Sequence, residues 1–330
     1  KWHLSENPLD YGFDINIGGG HRGAPGSYYP PYGKKNNRVK IEKGKSEYLT
    51  DLIMEKTLSF LDQVSGPFFL HYTPYAVHTP IHPVDSLLYK YQNKPPYKGQ
   101  KNPKYATMVD NLDRNIGLLI NKLKERDLFD NSFIIFTSDN GGYYGKITMQ
   151  KPLRAGKGSY YEGGIRVPFF FLWKDKIDPG KNIQNPISHL DIFPTLMELI
   201  GEDQMKKDLD GNSLIPMLTQ NQPGPERSFF WHFPIYLQGY DIEDNENRDA
   251  LFRTRPGSVV RMGDWKLHYY FEDQGVELFN LKEDIGERNN LAETRIDKKN
   301  ELLDELKNWW VKTNAPIPTE LNPEYEDSVN

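Results

Sequence analysis

The stretch Phe133-Ile134-Ile135-Phe136-Thr137-Ser138-Asp139-Asn140-Gly141-Gly142 carries the strongest fold signal in this chain. Its apolar first half predicts a buried strand. The carboxylate, the amide and the two glycines fall where that strand ends, and open α/β proteins build their sites at the carboxyl ends of strands. Carboxylate and amide oxygens are ligands that hard cations prefer. The stretch therefore indicates either a metal site or an ordinary Asp-Asn-Gly turn.

Helices and buried strands alternate around this stretch. Apolar residues recur at helical spacing from Tyr48 to Val64, from Tyr105 to Leu123 and from Asp191 to Ile200. Near-continuous apolar runs predict strands at Phe68–Tyr72, Ser132–Thr137 and Val167–Trp173. Such runs are typical of strands buried on both faces, so the pattern predicts an α/β fold with a mostly parallel sheet between helices.

The pattern changes after about Asn221. Shorter strands with polar or glycine-containing turns predict a smaller antiparallel sheet, followed by an amphipathic helix around Leu302–Trp310. The predicted strands are Ser228–Phe233, Ser258–Met262, Trp265–Phe271 and Val276–Asn280. We therefore predict an α/β domain over residues 1–220 and an antiparallel subdomain with a tail over 221–330. The acidic segment from Tyr240 to Asp249 is predicted to be an exposed loop.

Composition excludes several classes of function. The net charge is -5, which argues against a nucleic-acid partner, because such proteins usually carry a basic face. No apolar run approaches the roughly 20 residues of a membrane helix. The chain has no cysteine, so disulfides, zinc-thiolate sites and a thiol nucleophile are excluded within it. It opens at Lys1 without an initiator Met or signal pattern, so we expect a piece of a longer protein.

Two further segments carry chemistry. His78 and His82 lie in the proline-rich stretch Thr73–Pro83, directly after a predicted strand, where rigid loops place catalytic groups. Lys157 lies between two glycines in the stretch Leu153–Pro168, an arrangement that lets backbone and ammonium approach an anion. Taken singly, a loop histidine is more often a solvated residue, and glycine-rich loops are common without any ligand.

Together, four segments resemble the sulfatase family of the alkaline-phosphatase-like superfamily in their order and spacing. They are Lys1-Trp2-His3, Tyr-x-x-x-His78-x-Pro, Ser138-Asp139-Asn140-Gly141, and Gly156-Lys157-Gly158 through Glu162-Gly163-Gly164-x-Arg166-x-Pro168. The resemblance extends to Gly263-Asp264-Trp265-Lys266-Leu267 and to Glu277-Leu278-Phe279-Asn280-Leu281 through Glu287-Arg288-Asn289-Asn290-Leu291, which look like the family's C-terminal subdomain.

The resemblance implies a set of roles for these residues. One divalent cation, usually Ca²⁺, would take oxygen ligands from Asp139 and Asn140. Lys1 and Lys157 would neutralise sulfate oxygens. The remaining roles are proton transfers: His78 would protonate the leaving oxygen, and His3 would help release sulfate, with the division of the acid role between His78 and Lys157 left open.

The chain departs from the family in one large respect. The family's nucleophile is a formylglycine made within a Cys/Ser-x-Pro-x-Arg motif, and it lies with two metal-binding aspartates upstream of the Lys-Trp-His motif. None of these stands in this sequence. We therefore expect the 330 residues alone to be inactive, to bind metal weakly or not at all, and to associate with a missing N-terminal portion.

Two other segments bear on the substrate. They are Gly12–Tyr29 and Phe230–Tyr236, and they look like segments of bacterial carbohydrate sulfatases. His21, Arg22 and His232 are candidate sugar or anion contacts, or simply solvated loop residues. The leading hypothesis is hydrolysis of sulfated carbohydrates by a periplasmic or secreted enzyme. The alternatives are a phosphate or phosphonate ester hydrolase of the same superfamily and a non-catalytic fragment that binds a sulfated glycan.

Overall fold

The computed structural model divides the chain into two compact units, Lys1–Ser132 and Phe133–Asn330. The described residues are 1–34, 38–145, 147–202, 209–224, 226–239, 246–249 and 251–323. Every helix among them is too short or too polar to cross a membrane. The predicted domain boundary at 220/221 is a different division of the chain and stays a prediction.

The first unit is built on two helices, α1 (Leu49–Gln63) and α2 (Pro103–Glu125), which confirm the two predicted from periodicity. The α2 helix begins at a capping residue, because the Asn102 side chain accepts a hydrogen bond from the Tyr105 amide at 3.1 Å. The described part of this unit also contains the short 3-10 helices Pro8–Tyr11, Asp85–Lys90 and Phe129–Asn131.

The core of the first unit combines aromatic rings with a polar clasp between the helices. Tyr28 is fully buried and stacks on Tyr48, with ring centroids 5.5 Å apart. Asp51 on α1 accepts hydrogen bonds from the amides of Asn111 and Asn115 on α2, at 2.8 and 2.7 Å. Since an unpaired buried amide would be costly, these bonds fix the register of the helix pair.

The segment Phe68–Tyr72 does not form the strand that the sequence predicts. Strands are held by ladder hydrogen bonds to a neighbour, and among the described residues no strand pairs with this segment. Its rings pack on one another and on Phe13 instead, with Phe69 5.9 Å from Phe13 and 6.2 Å from His71. The apolar composition indicated extended chain, but it carried no information on a pairing partner.

The second unit contains the two long apolar strands. They are β1 (Phe133–Thr137) and β2 (Phe169–Trp173), and both were predicted within a few residues. They pair antiparallel, with Phe133 opposite Trp173. The α/β class is confirmed, whereas the strand ladders among the described residues are antiparallel and not parallel as expected. A continuous apolar run reports burial on both faces, and it does not report strand direction.

A four-stranded antiparallel sheet confirms the strands predicted after residue 221. In hydrogen-bonded order they are β3 (Ser228–Phe233), β6 (Gly257–Met262), β7 (Trp265–Tyr270) and β8 (Val276–Asn280). A two-stranded sheet joins β4 (Leu237–Gln238) to β5 (Phe252–Thr254). Of the predicted exposed acidic loop, residues 240–245 lie outside the described residues; residues 246–249 are half-buried and not exposed, and Arg248 and Asp249 form ion pairs.

Among its described residues, the second unit has the α-helices α3 (Glu162–Ile165), α4 (Ile192–Leu199), α5 (Ile215–Thr219) and α6 (Ile296–Thr313), and the short 3-10 helix His189–Asp191. The α6 helix packs on β6 and β7 through Leu302 and Leu306, which are fully buried. The Trp310 indole of α6 donates a hydrogen bond to Ser258 Oγ at 2.9 Å, which ties the helix to β6. The predicted C-terminal helix is therefore confirmed, and it covers one face of the sheet.

Candidate functional site

The end of β1 and the segment that carries Lys157 meet backbone to backbone. We call residues 154–164 the Lys157 loop. The Gly141 amide donates to the Gly164 carbonyl, and the Lys157 amide donates to the Gly142 carbonyl, each at 2.9 Å. The backbone of Lys157 is therefore held against the segment that directly follows the Asp139-Asn140 pair.

Glycine is required at this junction because the two backbones leave no room for a side chain. A Cβ on Gly141 would lie 1.8 Å from the Gly163 carbonyl oxygen, and one on Gly163 would lie 2.2 Å from the Ala155 carbonyl oxygen. A Cβ on Gly164 would lie 2.2 Å from the Ser159 carbonyl oxygen. The glycine-rich motifs of the sequence thus serve close backbone approach.

Asp139 and Asn140 stand at the exit of β1. The Asp139 Oδ1 accepts a hydrogen bond from the Asn140 amide at 3.0 Å, and the Asn140 side-chain NH₂ donates to the Gly141 carbonyl at 2.9 Å. Because the Asn140 NH₂ is used in this bond, the Asn140 Oδ1 is the atom of this amide that can bind a cation. A charged and a neutral oxygen donor are therefore presented by consecutive residues.

The two oxygen atoms of this pair are of the type that a hard cation binds, but they are too few to complete its coordination shell. Ca²⁺ takes six to eight oxygen ligands. Within the described part of the chain, no group of three or more histidine, aspartate or glutamate side chains is close enough to hold a metal ion. Asp139 and Asn140 can supply part of a calcium shell, and the sequence reasoning likewise assigned only these two ligands here.

His189 is a neighbour of the β1 exit that the sequence reasoning missed. Its Nε2 lies 2.8 Å from the Ser138 carbonyl oxygen, to which it can donate, and its ring centroid is 5.6 Å from that of Phe169. The local signal is the capping box of Ser188 and Asp191, which predicts a helix start. Nothing in that signal points across the fold to Ser138.

In the first unit, Lys1 lies beside the segment that leads to His78. The backbone nitrogen of Lys1 donates hydrogen bonds to the carbonyl oxygens of Thr73 and Pro74, the latter at 3.3 Å. The residues from Thr73 lead directly into the histidine-containing stretch. The structure therefore places the start of the Lys-Trp-His segment next to the His78 loop, as the resemblance implied.

The His78 ring is oriented by its neighbour. Its Nδ1 lies 3.0 Å from the Thr79 carbonyl oxygen, a distance at which Nδ1–H donates. The His78 carbonyl in turn accepts a hydrogen bond from the buried Tyr28 hydroxyl at 2.9 Å. With Nδ1 committed to the backbone, Nε2 is the nitrogen that can carry a transferable proton.

His3 is held by the glycine-rich segment of residues 18–26. Its amide donates to the Gly20 carbonyl at 2.9 Å. A Cβ on Gly23 would lie 2.7 Å from His3 Cε1, so a glycine is needed for the chain to pass the ring. Gly23 therefore has a packing role against the His3 ring, which the sequence alone did not reveal.

The three predicted substrate contacts have different environments. His21 Nδ1 lies 2.8 Å from the Glu6 carboxylate, and both side chains are exposed. Arg22 is close enough to Tyr75 to oppose the rise in the pKa of that phenol caused by burial. Their roles as substrate contacts stay predictions.

His232 is the most enclosed of the three. Both of its ring nitrogens have protein partners: Nδ1 lies 2.6 Å from Ser258 Oγ, and Nε2 lies 3.0 Å from the Pro316 carbonyl oxygen. Burial lowers the pKa of His232, which favours the neutral ring. A contact with a sugar stays a prediction, and it would require one of these two bonds to be replaced.

The predicted catalytic and metal residues fall into two groups. Lys1, His3 and His78 lie in the first unit, on segments joined by hydrogen bonds. Asp139, Asn140 and Lys157 lie in the second unit, at one backbone junction. The geometry of each group is defined within its own unit.

Comparison with known proteins gives this geometry a family. The family model "Sulfatase" matches residues 1–202, and the model "N-sulphoglucosamine sulphohydrolase, C-terminal" matches residues 156–314. A protein named "Sulfatase" from Formosa agariphila is 32% identical over 313 residues, which cover 86% of this chain and 54% of that protein. The chain thus spans about half the length of this curated relative.

Solved structures show the same fold. The structure of Ps i-CgsB in complex with k-i-k-neocarrahexaose has a TM-score of 0.72 and 28% identity, and the match covers 96% of this chain and 70% of that one. A structure in complex with its substrate D-glucosamine-2-N,6-O-disulfate has a TM-score of 0.73 and 21% identity, covering 97% and 80%. They confirm the predicted alkaline-phosphatase-like fold, and with the family model over residues 1–202 they establish that the chain belongs to the sulfatase family.

Proposed function

We propose that the protein hydrolyses sulfate esters of carbohydrates. The observation that carries this proposal is the junction at which the Lys157 amide donates to the Gly142 carbonyl at 2.9 Å, because it joins the segment of a cationic residue to the segment that follows two hard oxygen donors, Asp139 and Asn140. Sulfate-ester cleavage needs both an anion clamp and a cation. Family membership supports the reaction class.

The two lysines would stabilise the negative charge of the sulfate group. Lys157 would lie against the sulfate oxygens, and Lys1 would do the same from the Lys-Trp-His segment. Positive groups fixed in advance stabilise the charge that develops on a transferring anionic group, and each such donor typically contributes about 2.7–4 kcal/mol to the transition state. The backbone bonds that hold the Lys157 loop fix its position before substrate arrives.

The two histidines would transfer protons during the reaction. His78, with Nδ1 donating to the Thr79 carbonyl, would present a protonated Nε2 to the leaving oxygen of the ester. His3 would take a proton in the second half of the cycle and so help sulfate leave. An imidazole ring can both give and accept a proton, which suits both roles.

Two groups from outside these residues complete the proposal. Asp139 and Asn140 would hold part of a Ca²⁺ shell, and a bound cation supplies charge stabilisation to the sulfate oxygens. By family resemblance, the nucleophile would be a formylglycine upstream of Lys1, and it would supply the covalent attack on sulfur. We therefore expect no turnover from residues 1–330 alone.

The same comparisons support the proposed substrate class and location. Two similar solved structures were determined with carbohydrates, a neocarrahexaose and a disulfated glucosamine. A sulfated glycan is therefore the substrate class to test first. Such polymers lie outside the cytoplasm, so we propose a periplasmic or secreted enzyme.

A substrate panel tests the proposal. The protein, extended upstream to include a Cys/Ser-x-Pro-x-Arg motif and matured, should release sulfate from a carrageenan oligosaccharide, glucosamine 6-sulfate or 4-nitrophenyl sulfate, and release should require Ca²⁺. Ion chromatography measures free sulfate. Turnover of phosphate or phosphonate esters with no sulfate released would favour the alternative hydrolase, and binding of a sulfated glycan without any turnover would favour a non-catalytic protein.

The metal ligand is tested in the same protein. Asp139→Asn should abolish calorimetric Ca²⁺ binding and activity, because the shell loses its charged oxygen while the side chain keeps its size. Asp178→Asn, at an exposed position after β2, is the matched control and should leave both unchanged. An unaltered calcium affinity in Asp139→Asn would refute the ligand assignment.

A further inference from the structure

The Lys157 loop ends on a cluster of buried charges that the proposed mechanism does not use. We call Glu162, Lys266, His268 and Glu287 the charged cluster. The first is 1% exposed and the other three are 0% exposed. Glu162 belongs to the loop and to helix α3, Lys266 and His268 to strand β7, and Glu287 to the segment after β8. Side chains of this kind are almost never fully buried unless they are paired, so each needs its partners.

The contacts of the cluster converge on the loop. Lys266 Nζ lies 2.9 Å from Glu162 Oε1 and 2.9 Å from Glu287 Oε1. Glu287 Oε2 accepts a hydrogen bond from the Glu162 backbone amide at 2.5 Å, at the start of α3. Its other oxygen lies 3.2 Å from His268 Nε2. The Glu287 carboxylate therefore holds the loop in two ways: directly, at the Glu162 backbone amide, and indirectly, through Lys266.

A second anchor holds the first residue of the loop. Arg154 Nη1 donates to the Glu287 carbonyl oxygen at 2.9 Å, and the guanidinium lies 3.8 Å from the centroid of the Tyr161 ring. The Tyr161 hydroxyl donates to Glu277 on β8 at 2.6 Å. Both ends of the Lys157 loop are thus attached to one residue, Glu287, and to the β7–β8 edge of the sheet.

The charges of the cluster are compatible with this geometry. Burial raises the pKa of Glu287, but Lys266 and the hydrogen bond with His268 outweigh burial and lower it to about 2. Burial lowers the pKa of His268, so the ring is neutral at neutral pH. Lys266 Nζ lies between the two carboxylates, and the Glu162 carboxylate also lies 3.4 Å from Arg166 Nη1 and 3.9 Å from Arg261 Nη1. Because buried ions tolerate little displacement from their partners, the cluster fixes the loop more tightly than an apolar contact would.

We propose that Glu287, Lys266 and Glu162 are positioning residues for Lys157, which fix the loop from the C-terminal sheet so that the ammonium is in place for sulfate. The inference rests on the proposed function for its catalytic consequence. The hold on the loop itself is independent of that function. The C-terminal sheet, which supplies none of the predicted metal or proton-transfer groups, thereby becomes part of the catalytic machinery.

The test compares Glu287→Gln with two controls. Glu283→Gln changes an exposed glutamate near the end of β8, and Leu306→Ala destabilises the other face of the sheet without touching the loop. Amide hydrogen exchange of residues 156–164 is measured in the 330-residue protein. Sulfate release is measured in the upstream-extended protein, at a temperature where each variant is folded. Arg154→Lys is the milder variant if Glu287→Gln does not fold.

We expect exchange of residues 156–164 to be at least about tenfold faster in Glu287→Gln than in wild type and Leu306→Ala, with β3 amides unchanged. We expect kcat to fall at least about tenfold, since small misplacements cost that much, while Leu306→Ala stays within about twofold. Unchanged exchange in the loop, or equal loss of kcat in Glu287→Gln and Leu306→Ala, would overturn the proposal. A wild-type protein without sulfatase activity would instead refute the proposed function, and the exchange result would still decide the hold on the loop.

Discussion

The two faces of strand β7 are stabilised by opposite kinds of chemistry. Leu267 points into the apolar cluster under α6 and is fully buried. Lys266 and His268, on either side of it, point to the opposite face and are equally buried, among carboxylates. Since side chains alternate along a strand, one hexapeptide contributes to both faces. Burial therefore does not distinguish the faces, but charge does.

The two faces contribute differently to the protein: the apolar face mainly stabilises the fold, and the charged face mainly positions the Lys157 loop. The apolar face gains free energy from any well-packed side chains, because the hydrophobic effect is not directional. The charged face gains little net free energy from burying ions, but its contacts are directional and fail together when one partner is lost. We therefore expect the sheet face that α6 covers to tolerate conservative side-chain substitutions. We expect the opposite face, which the Lys157 loop covers, not to tolerate them.

The largest expected effect lies at the glycine junction that seats the loop over the charged face. Gly163→Ala places a Cβ 2.2 Å from the Ala155 carbonyl oxygen and 2.3 Å from that of Arg154. Because the neighbours are backbone atoms that cannot turn aside, we expect a loss of at least about 4 kcal/mol in unfolding free energy, measured by urea denaturation. Gly117→Ala in α2 has nothing within 4 Å and is the control, with a small gain expected. A loss below that of ordinary surface variants would show that the junction is not tightly packed.

The next effect is at the centre of the charged face. Lys266→Met keeps the approximate length of the side chain but removes the ammonium that pairs with both Glu162 and Glu287. Arg166 and Arg261 still lie 3.4 and 3.9 Å from Glu162, so the loss falls mainly on Glu287, and we expect about 3–5 kcal/mol. Lys282→Met, at an exposed position, should be neutral. Denaturant unfolding followed by tryptophan fluorescence measures both. If Lys266→Met were as stable as wild type, the charged face would behave like the apolar face and the comparison would fail.

The apolar face gives a comparable or smaller loss with a different signature. Leu306→Ala should cost about 2–5 kcal/mol, depending on how far the cavity collapses. Leu306→Met should recover most of it, because cores tolerate exchanges that conserve volume. Val311, 84% exposed on the same helix, supplies the control as Val311→Ala. Failure of Leu306→Met to recover stability would show that this face, too, requires one particular side chain.

A smaller effect distinguishes the faces by pH. Glu287 has a pKa of about 2 in the folded protein, below its ordinary value of about 4.3. A depressed carboxyl pKa contributes stability that is present above the unfolded value and is lost as pH falls toward the folded value, here from about 4.3 to about 2. Unfolding free energies at pH 5, 4 and 3 should therefore fall less steeply in Glu287→Gln than in Glu283→Gln. Equal slopes would mean that Glu287 is not held as a carboxylate.

Much of the fold could be predicted from local pattern. The α1, α2 and α6 helices have regular apolar stripes, and β3 and β8 begin and end at the predicted residues. Strand direction could not be predicted, because a buried apolar run looks the same in parallel and antiparallel pairs. The segment Phe68–Tyr72 shows a second limit, since a strand also depends on a partner that its own sequence does not encode.

The site shows the same division. The motifs assigned roles to Lys157 and to the Asp139-Asn140 pair, but they did not predict the backbone bond between Lys157 and Gly142 that joins the two segments. The alternation in Trp265-Lys266-Leu267-His268 indicates that the two faces differ, and on a surface strand it would predict that the charged face is solvated. Only the fold reveals that the Lys157 loop covers that face. The charged cluster was therefore beyond sequence reasoning, as was the contact of His189 with Ser138.

The most direct test of the account is the role of Lys157 in the upstream-extended, matured protein. Lys157→Ala should lower kcat/KM for sulfate release by at least about two orders of magnitude, because one transition-state donor is removed. Lys176→Ala, an exposed lysine in the turn after β2, should stay within about twofold of wild type. A loss of less than about threefold in Lys157→Ala, with wild type active, would show that Lys157 does not bind the reacting sulfate and would contradict the account.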